Sequence, residues 1–513
     1  MVERKHMTRD ASHATSCGSE GRIPIRRSGV YLRPDNSRML LRPFLPEGDI
    51  RGREIVRRIL QLAPVEVEAG LDQVRRSLTH QHAGIEVIFA NRCRELCHLL
   101  PLGTDPSPSQ CLLIGAYFMC EYSLQSAALF NPSIVPHPDQ TEIPPGSMRF
   151  VMSLRATGEG HLSSIEFRSG LVNADGHLAF DPVSGSVIMP KIRYPPHRKA
   201  DFAESLVDLG FDEAFIGAAL DPLAQEFEPE ELEEFLHHPD RWPHWAGMST
   251  TEDDPQRQSV RDAIRWVAHS DYLVEFPKSL ALSERVIFPV SPSERNGIED
   301  ARFVRFQEND GTHRYYATYT AFDGTRILPQ LIETEDFHRF RLRPLHGASA
   351  QNKGMALFPR RIGGRYAMLG RQGGACITIM FSDNMYRWEE HEILLEPKAP
   401  WEFVQLGNCG SPLETEAGWL VLTHGVGAMR NYCIGATLLD RDDPRRVIGR
   451  LREPLLEPLD HERDGYVPNV VYSCGSQIHN GWLVIPYAVS DYATTTACVE
   501  IGQLLEWLVD QRT

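Results

Sequence analysis

Five stretches of this chain share one pattern, and that repeat limits the available folds more than any other feature. Each stretch begins at a turn, reaches an aromatic residue, runs through a short apolar strand, and ends on a polar residue five positions after the aromatic. They are Met148-Arg-Phe-Val-Met-Ser-Leu-Arg155, His313-Arg-Tyr-Tyr-Ala-Thr-Tyr-Thr320, Gly364-Arg-Tyr-Ala-Met-Leu-Gly-Arg371, Ala417-Gly-Trp-Leu-Val-Leu-Thr-His424 and Asn480-Gly-Trp-Leu-Val-Ile-Pro-Tyr487. The aromatics are Phe150, Tyr315, Tyr366, Trp419 and Trp482. A second β-rich run follows several of them, as at Ser163 to Phe167, Cys376 to Phe381 and Cys433 to Leu439. The last three copies recur at about 50–60 residues, near the blade period of propellers. A repeated β-unit of this kind closes into a ring of blades. The repeat therefore predicts a mainly β chain, a five-bladed β-propeller.

Outside the repeat the sequence reads as a leader, a mostly helical region and a helical insertion. Residues 1–28 read as a leader outside the fold, and 29–130 as a mostly helical region. Apolar residues recur at helical spacing over Arg51 to Leu62 and Val65 to Leu78, with the break at Pro64. Cys111 to Phe130 is apolar on most faces and predicts a buried helix. Val30 to Pro46 predicts a strand pair turning at Pro34-Asp35-Asn36. Residues 131–513 form the propeller, interrupted over about 190–270 by a helical insertion. Its helices are expected at Phe202 to Leu209, Glu213 to Leu220 and Glu230 to Leu236, the last opened by Pro229.

Composition excludes several function classes. With 53 basic and 69 acidic residues among 513, the formal net charge is −16. Nucleic acid and anionic membranes demand clustered positive charge, so neither is an expected partner. No apolar run of about 18 residues is present to span a membrane. The first 28 residues carry arginines but no apolar core, which is not a secretory signal. Ten cysteines are scattered, and Cys93, Cys97 and His98 lack a second ligand cluster. No metal is expected, and the compartment reads as the reducing cytoplasm.

Equivalent positions of a propeller lie at equivalent places around its axis. Arg155, Thr320, Arg371, His424 and Tyr487 should therefore converge. Two guanidiniums and an imidazole aimed at one spot repel one another unless an anion sits between them, and arginine's planar fork matches phosphate or carboxylate. The ring reads as an oxyanion site. A second constellation is Asn296-Gly-Ile-Glu-Asp-Ala-Arg302. Adjacent carboxylates on a strand face opposite ways, so one of Glu299 and Asp300 can face the channel while the other pairs with Arg302.

With these residues in view, the chain resembles the glycoside hydrolase family 130 mannoside phosphorylases. Gly297-Ile-Glu-Asp-Ala-Arg302 is similar to that family's Gly-x-Glu-Asp-Pro-Arg signature, with Ala301 where proline is usual. Further elements follow in the family's order: Asn131-Pro-Ser133, Leu154-Arg-Ala156, Tyr319-Thr-Ala321 with Asp323-Gly324, Asn352-Lys353, Leu357-Phe-Pro359, Gly410-Ser-Pro412, His424-Gly-Val426, Tyr432, and Tyr487 with Asp491. The resemblance covers about 131–190 and 272–505. It implies a five-bladed propeller with Asp300 as general acid. It implies phosphate binding by Arg155, Lys353, Arg371, His424 and Tyr432, and substrate binding by Asn131, Asn296, Asp323 and Asp491. Glu299 is read as a structural partner of Arg302. The implied reaction is inverting phosphorolysis of β-mannosides, or its reverse, giving α-mannose 1-phosphate. Inorganic phosphate is the co-substrate, and no other cofactor is implied. A β-mannosidase or β-mannosyltransferase on the same scaffold, and a non-catalytic sugar-binding propeller, are the alternatives. Hydrolytic relatives carry glutamates where phosphate would be gripped, whereas Arg371 and His424 stand here. The added helices suit either a cover for the mouth or the interface of a homo-oligomer.

Overall fold

The computed structural model describes residues 23–46, 48–78, 84–238 and 255–510. Among these residues the chain is mainly β, with five antiparallel sheets of four or more strands. The first orders its strands Val286–Ile287, Ser163–Val172, Met148–Thr157 and Ala128–Pro136. The second runs from Ile298–Gln307 through His313–Phe322, Ile327–Thr334 and Arg339–Pro344, then adds Tyr272–Glu275 and Lys191–Arg193. The third is Ala356–Leu357, Tyr366–Gly370, Ile377–Ser382 and Glu392–Leu395. The fourth is Gln405–Asn408, Gly418–Val426, Tyr432–Leu439 and Val447–Arg450. The fifth is Arg26–Arg27, Ala493–Glu500, Trp482–Val489 and Val471–Tyr472. Each repeat found in the sequence supplies one strand to a different sheet.

These strands are apolar throughout because both of their faces are buried. Gly418–Val426 is buried at every position. Its Trp419 and Val421 pack with Leu369 and Ile379 of the third sheet. Its Leu420 and Leu422 pack with Leu483 and Ile485 of the fifth. Similar cores join first to second sheet (Phe167 with Phe303 and Tyr315) and second to third (Phe306 and Tyr316 with Met368). The fifth sheet meets the first through Val484 and Cys498 against Phe150 and Met152. Each such side chain stabilises the fold by about 1.5–3 kcal/mol through burial.

The helical expectations fare unevenly. Helices Gly48–Leu60 and Pro64–Leu78 stand where the periodicity places them, and Pro64 opens the second. The buried helix expected over Cys111 to Phe130 stops early. Helix Pro108–Tyr117 gives way to strands Met119–Ser123 and Ala128–Pro136. An apolar run does not separate buried helix from buried strand. Here the partner decides, since Met39–Pro43 pairs with Met119–Ser123. That pairing also replaces the strand pair expected within Val30 to Pro46. Residues 1–22 lie outside the described residues, but the leader expected over 1–28 is too long. Arg26–Arg27 pairs with Ala497 and Cys498, and Ile23 and Ile25 pack on the core between fourth and fifth sheets.

In the insertion, helices Lys199–Asp208, Glu213–Leu220, Pro229–Leu236 and Pro255–Ala268 share a core of their own that includes Phe202, Leu206, Ile216, Leu236 and Ile264. Asp212 caps the second of these by accepting from the Phe215 amide at 2.9 Å. Among the described residues no helix is long and apolar enough to cross a membrane.

Candidate active site

The residues picked from the sequence meet where first strands of the sheets begin. Asp300 lies on Ile298–Gln307, and its backbone is left-handed, φ 56°. The pairing with His313–Phe322 slips by one residue between Glu299 and Arg302, so Asp300 stands in a β-bulge. Asn131 repeats this feature on the first sheet, with φ 49° and a slip between Phe130 and Ser133. The two bulges face each other: Asn131 Nδ2 donates to Asp300 Oδ1 at 2.6 Å.

The bulge overturns the alternation expected of Glu299 and Asp300. Both carboxylates reach Arg155, which donates to Glu299 Oε1 at 2.9 Å and to Asp300 Oδ1 at 3.4 Å. Glu299 also pairs with Lys353. It therefore does not pair with Arg302, as the sequence suggested. Arg302 is buried and donates to Asn408 Oδ1 at 2.7 Å and to the Tyr472 hydroxyl at 2.5 Å.

Arg371 and His424 form the other half. Arg371 Nη1 lies 3.5 Å from His424 Nε2. The imidazole stacks on Tyr432, rings 6.0 Å apart and 13° from parallel, and meets the edge of Tyr472. Asn352 Nδ2 holds the Arg371 carbonyl at 3.1 Å. The Nε groups of Arg155 and Arg371 and Oδ1 of Asn131 are buried without a hydrogen-bond partner among the described residues. Such orphaned groups in a native site call for a ligand.

The charges are strongly coupled. Burial opposes ionisation of Asp300, but Arg155, Arg302, Asn131 and Lys353 together hold its pKa below the ordinary carboxylate value. Asp491, left-handed at φ 48° in the turn after Trp482–Val489, is pushed up to about 6, first by burial and then by Asp300. Burial, Arg371 and Arg302 push His424 well below the ordinary imidazole value, so its ring is neutral.

Two expected residues stand apart from this group. Asp323 accepts from Thr325 and Arg326 and closes the turn after His313–Phe322. Asn296 lies beside Gly324 of the same turn, with its amide donating to the Phe322 carbonyl at 2.8 Å. Thr320 lines a narrow cleft with Asp300, Arg302, Asn352 and Gly354. Tyr487 leaves the predicted ring: its hydroxyl donates to buried Glu462 at 2.8 Å. Tyr472, from the neighbouring strand, takes its place beside His424. Asn352, Gln405, Asn408 and Tyr472 are not singled out as site residues by the sequence because their polar contacts join distant segments. A cavity of about 400 Å³ lies elsewhere, between the helical insertion and the second and third sheets. Its arginines are already matched, Arg341 to Asp271 and Arg387 to Glu204, so it lacks the unmet charge of the Asp300 site.

A family model described as beta-1,4-mannooligosaccharide phosphorylase matches residues 267–510. A 1,2-beta-oligomannan phosphorylase of Thermoanaerobacter sp. (strain X514) is 35% identical over 236 residues, 44% of this chain and 75% of that protein. The chain belongs to glycoside hydrolase family 130. A beta-1,2-mannobiose phosphorylase of Listeria innocua is 29% identical over 229 residues, 43% of this chain and 63% of that protein. A solved beta-1,2-mannobiose phosphorylase from Listeria innocua aligns with 75% of this family member and 93% of that chain, at 22% identity and a TM-score of 0.43.

Proposed function

We propose that this protein is an inverting β-mannoside phosphorylase that releases α-mannose 1-phosphate, or runs in reverse to build the glycoside. One observation carries the reading. Arg371 is a largely buried cation with no carboxylate partner among the described residues, and its Nε is unsatisfied beside a neutral imidazole. A buried charge without a partner is costly, and a bound anion meets that need. The relatives' activities on β-mannosides name the sugar and phosphate as the anion.

Arg371, His424, Arg155 and Lys353 hold phosphate, with Tyr432 backing the imidazole. A phosphate oxygen attacks the anomeric carbon from one face. The bond from that carbon to the glycosidic oxygen breaks, and the proton of Asp300 passes to the leaving oxygen, by way of a sugar hydroxyl as the family resemblance implies. No general base is required because phosphate is already nucleophilic; the cations position it and offset its charge. The cations that depress the Asp300 pKa are the ones whose charge bound phosphate offsets. Phosphate binding therefore raises that pKa and loads the acid. Asn131 aims the Asp300 carboxyl, Glu299 spaces Arg155 from Lys353, and Asp491 receives the mannosyl ring. Asn296 and Asp323 are assigned to the sugar beyond the scissile bond on the family resemblance.

The five sheets are blades of one five-bladed propeller in this reading. The support is that each consecutive pair shares a core and the fifth sheet shares one with the first. Inorganic phosphate is the co-substrate, with no other cofactor. The nine cysteines among the described residues are all free thiols, which fits a reducing cytoplasm.

Incubation with β-1,2- and β-1,4-linked mannobiose, with and without phosphate, tests the reading. The expected product is mannose 1-phosphate, formed only with phosphate. Free mannose at the same rate without phosphate identifies a mannosidase instead.

A further inference from the structure

We propose that His424 accepts a hydrogen bond from the hydroxyl of bound hydrogen phosphate, and that the site thereby rejects anions of the same shape that carry no proton, sulfate above all. This rests on the reading of the site as a phosphate site and adds which form of the anion it takes.

The tautomer follows from the neighbours. His424 Nδ1 lies 3.2 Å from the backbone carbonyl of Asn408. A carbonyl only accepts, so Nδ1 carries the proton. Nε2 faces Arg371 Nη1 at 3.5 Å and Gln405 Nε2 at 3.2 Å. A guanidinium has no acceptor, so Nε2 presents a lone pair to it. A second proton on the ring would set N–H against N–H beside a fixed positive charge.

The ring's orientation is set by its neighbours. Tyr432 stacks along one face, Tyr472 meets it edge-on, and the absent side chain of Gly407 leaves room for Cε1. An added Cβ at Gly407 would lie 2.3 Å from that atom. The Nε2 lone pair is held by the Gln405 amide at 3.2 Å, and its contact with Arg371 is long. An anion seated there accepts from Arg371 and takes the place of Gln405 at the imidazole, so it must itself offer a proton to Nε2. Hydrogen phosphate and hydrogen arsenate carry that proton at neutral pH, and sulfate does not. Sulfate would set an oxygen lone pair against the nitrogen lone pair in a buried site, where an unmet polar contact is costly.

The test is inhibition of phosphorolysis by sulfate at neutral pH and constant ionic strength, with arsenate as control. The expected sulfate Ki lies on the order of 100-fold or more above the phosphate KM, and arsenate binds within about 10-fold of phosphate. A sulfate Ki within about 10-fold of the phosphate KM overturns the proposal. Gln405→Glu supplies a second arm. A carboxylate at Nε2 draws the ring proton there, and discrimination against sulfate should fall by about 10-fold or more; unchanged discrimination counts against the tautomer. Nitrogen-15 NMR of histidine-labelled protein reads the same point without turnover. A neutral ring protonated at Nδ1, retained when inorganic phosphate is added, is expected, and an Nε2-protonated ring contradicts it. Absence of phosphate binding by calorimetry would remove the underlying phosphate reading as well, which separates that failure from sulfate tolerance.

Discussion

Asp300 is left-handed at φ 56°, a conformation that costs about 1 kcal/mol or more for a residue with a side chain. The surrounding bulge holds it there, and the outcome is that two neighbouring carboxylates share Arg155. Sequence reasoning picked Asp300, Arg155 and Lys353, which the structure brings together, yet it misassigned the partner of Glu299, because strand alternation is legible in a sequence and a bulge is not. Gly407 matters for the opposite reason, since it offers no side chain where the imidazole must lie. Gly407→Ala should displace His424 and raise the phosphate KM by about 10-fold or more in steady-state kinetics. Asp491 gives a pH signature. Its ordinary value is 3.8 and its folded value is about 6. The folded chain therefore favours the protonated form, and the stability this contributes is full below 3.8 and lost as pH rises through about 6. Asp491→Asn should be more stable than the parent above that range, by about 2–3 kcal/mol, with the gap closing in acid. Denaturant unfolding across pH checks both sign and window.

At the scale of elements, the repeat was the most legible feature. Each copy became a strand of a separate sheet because a strand buried on both faces shows a near-continuous apolar run between turns. Helix periodicity was equally plain over Gly48–Leu60 and Pro64–Leu78. What failed was the long apolar stretch after Cys111, where only the pairing with Met39–Pro43 reveals strand, and that partner lies far away in the chain. The edge strand Arg26–Arg27 failed for a related reason: it is two residues long and amphipathic signals need more. Its role is nevertheless structural. Arg27 pairs with fully buried Glu462, which also accepts from Tyr487. The Ser490 hydroxyl donates to the Glu462 carbonyl at 2.6 Å, one residue before Asp491. Arg27→Ala leaves a buried carboxylate without its cation and should cost about 3 kcal/mol in chemical denaturation. Retained stability in that variant would show that Tyr487 and the neighbouring amides suffice.

For the whole molecule, five shared cores fix the sheets relative to one another, and residues from four of them supply the site. Asn131 and Arg155 come from the first sheet, Asp300 from the second, His424 from the fourth and Tyr472 from the fifth. Lys353 precedes the third sheet, and Arg371 follows one of its strands. That long-range assembly explains why single motifs were weak in the sequence and their ordered set was informative. It also explains why Tyr487 was misplaced, since sequence register fixes a position along a strand but not which face meets the centre. The helical insertion, with its own core, stands apart from this convergence. In the proposed reaction Asp300 delivers a proton while phosphate attacks. A combined proton and phosphorus NMR time course with a β-linked mannobiose tests it most directly. The expected outcome is α-mannose 1-phosphate as the first product, none of it without phosphate, and a rate about 10³-fold lower in Asp300→Asn with the phosphate affinity kept. An unimpaired Asp300→Asn enzyme, or free mannose as the first product, would contradict it.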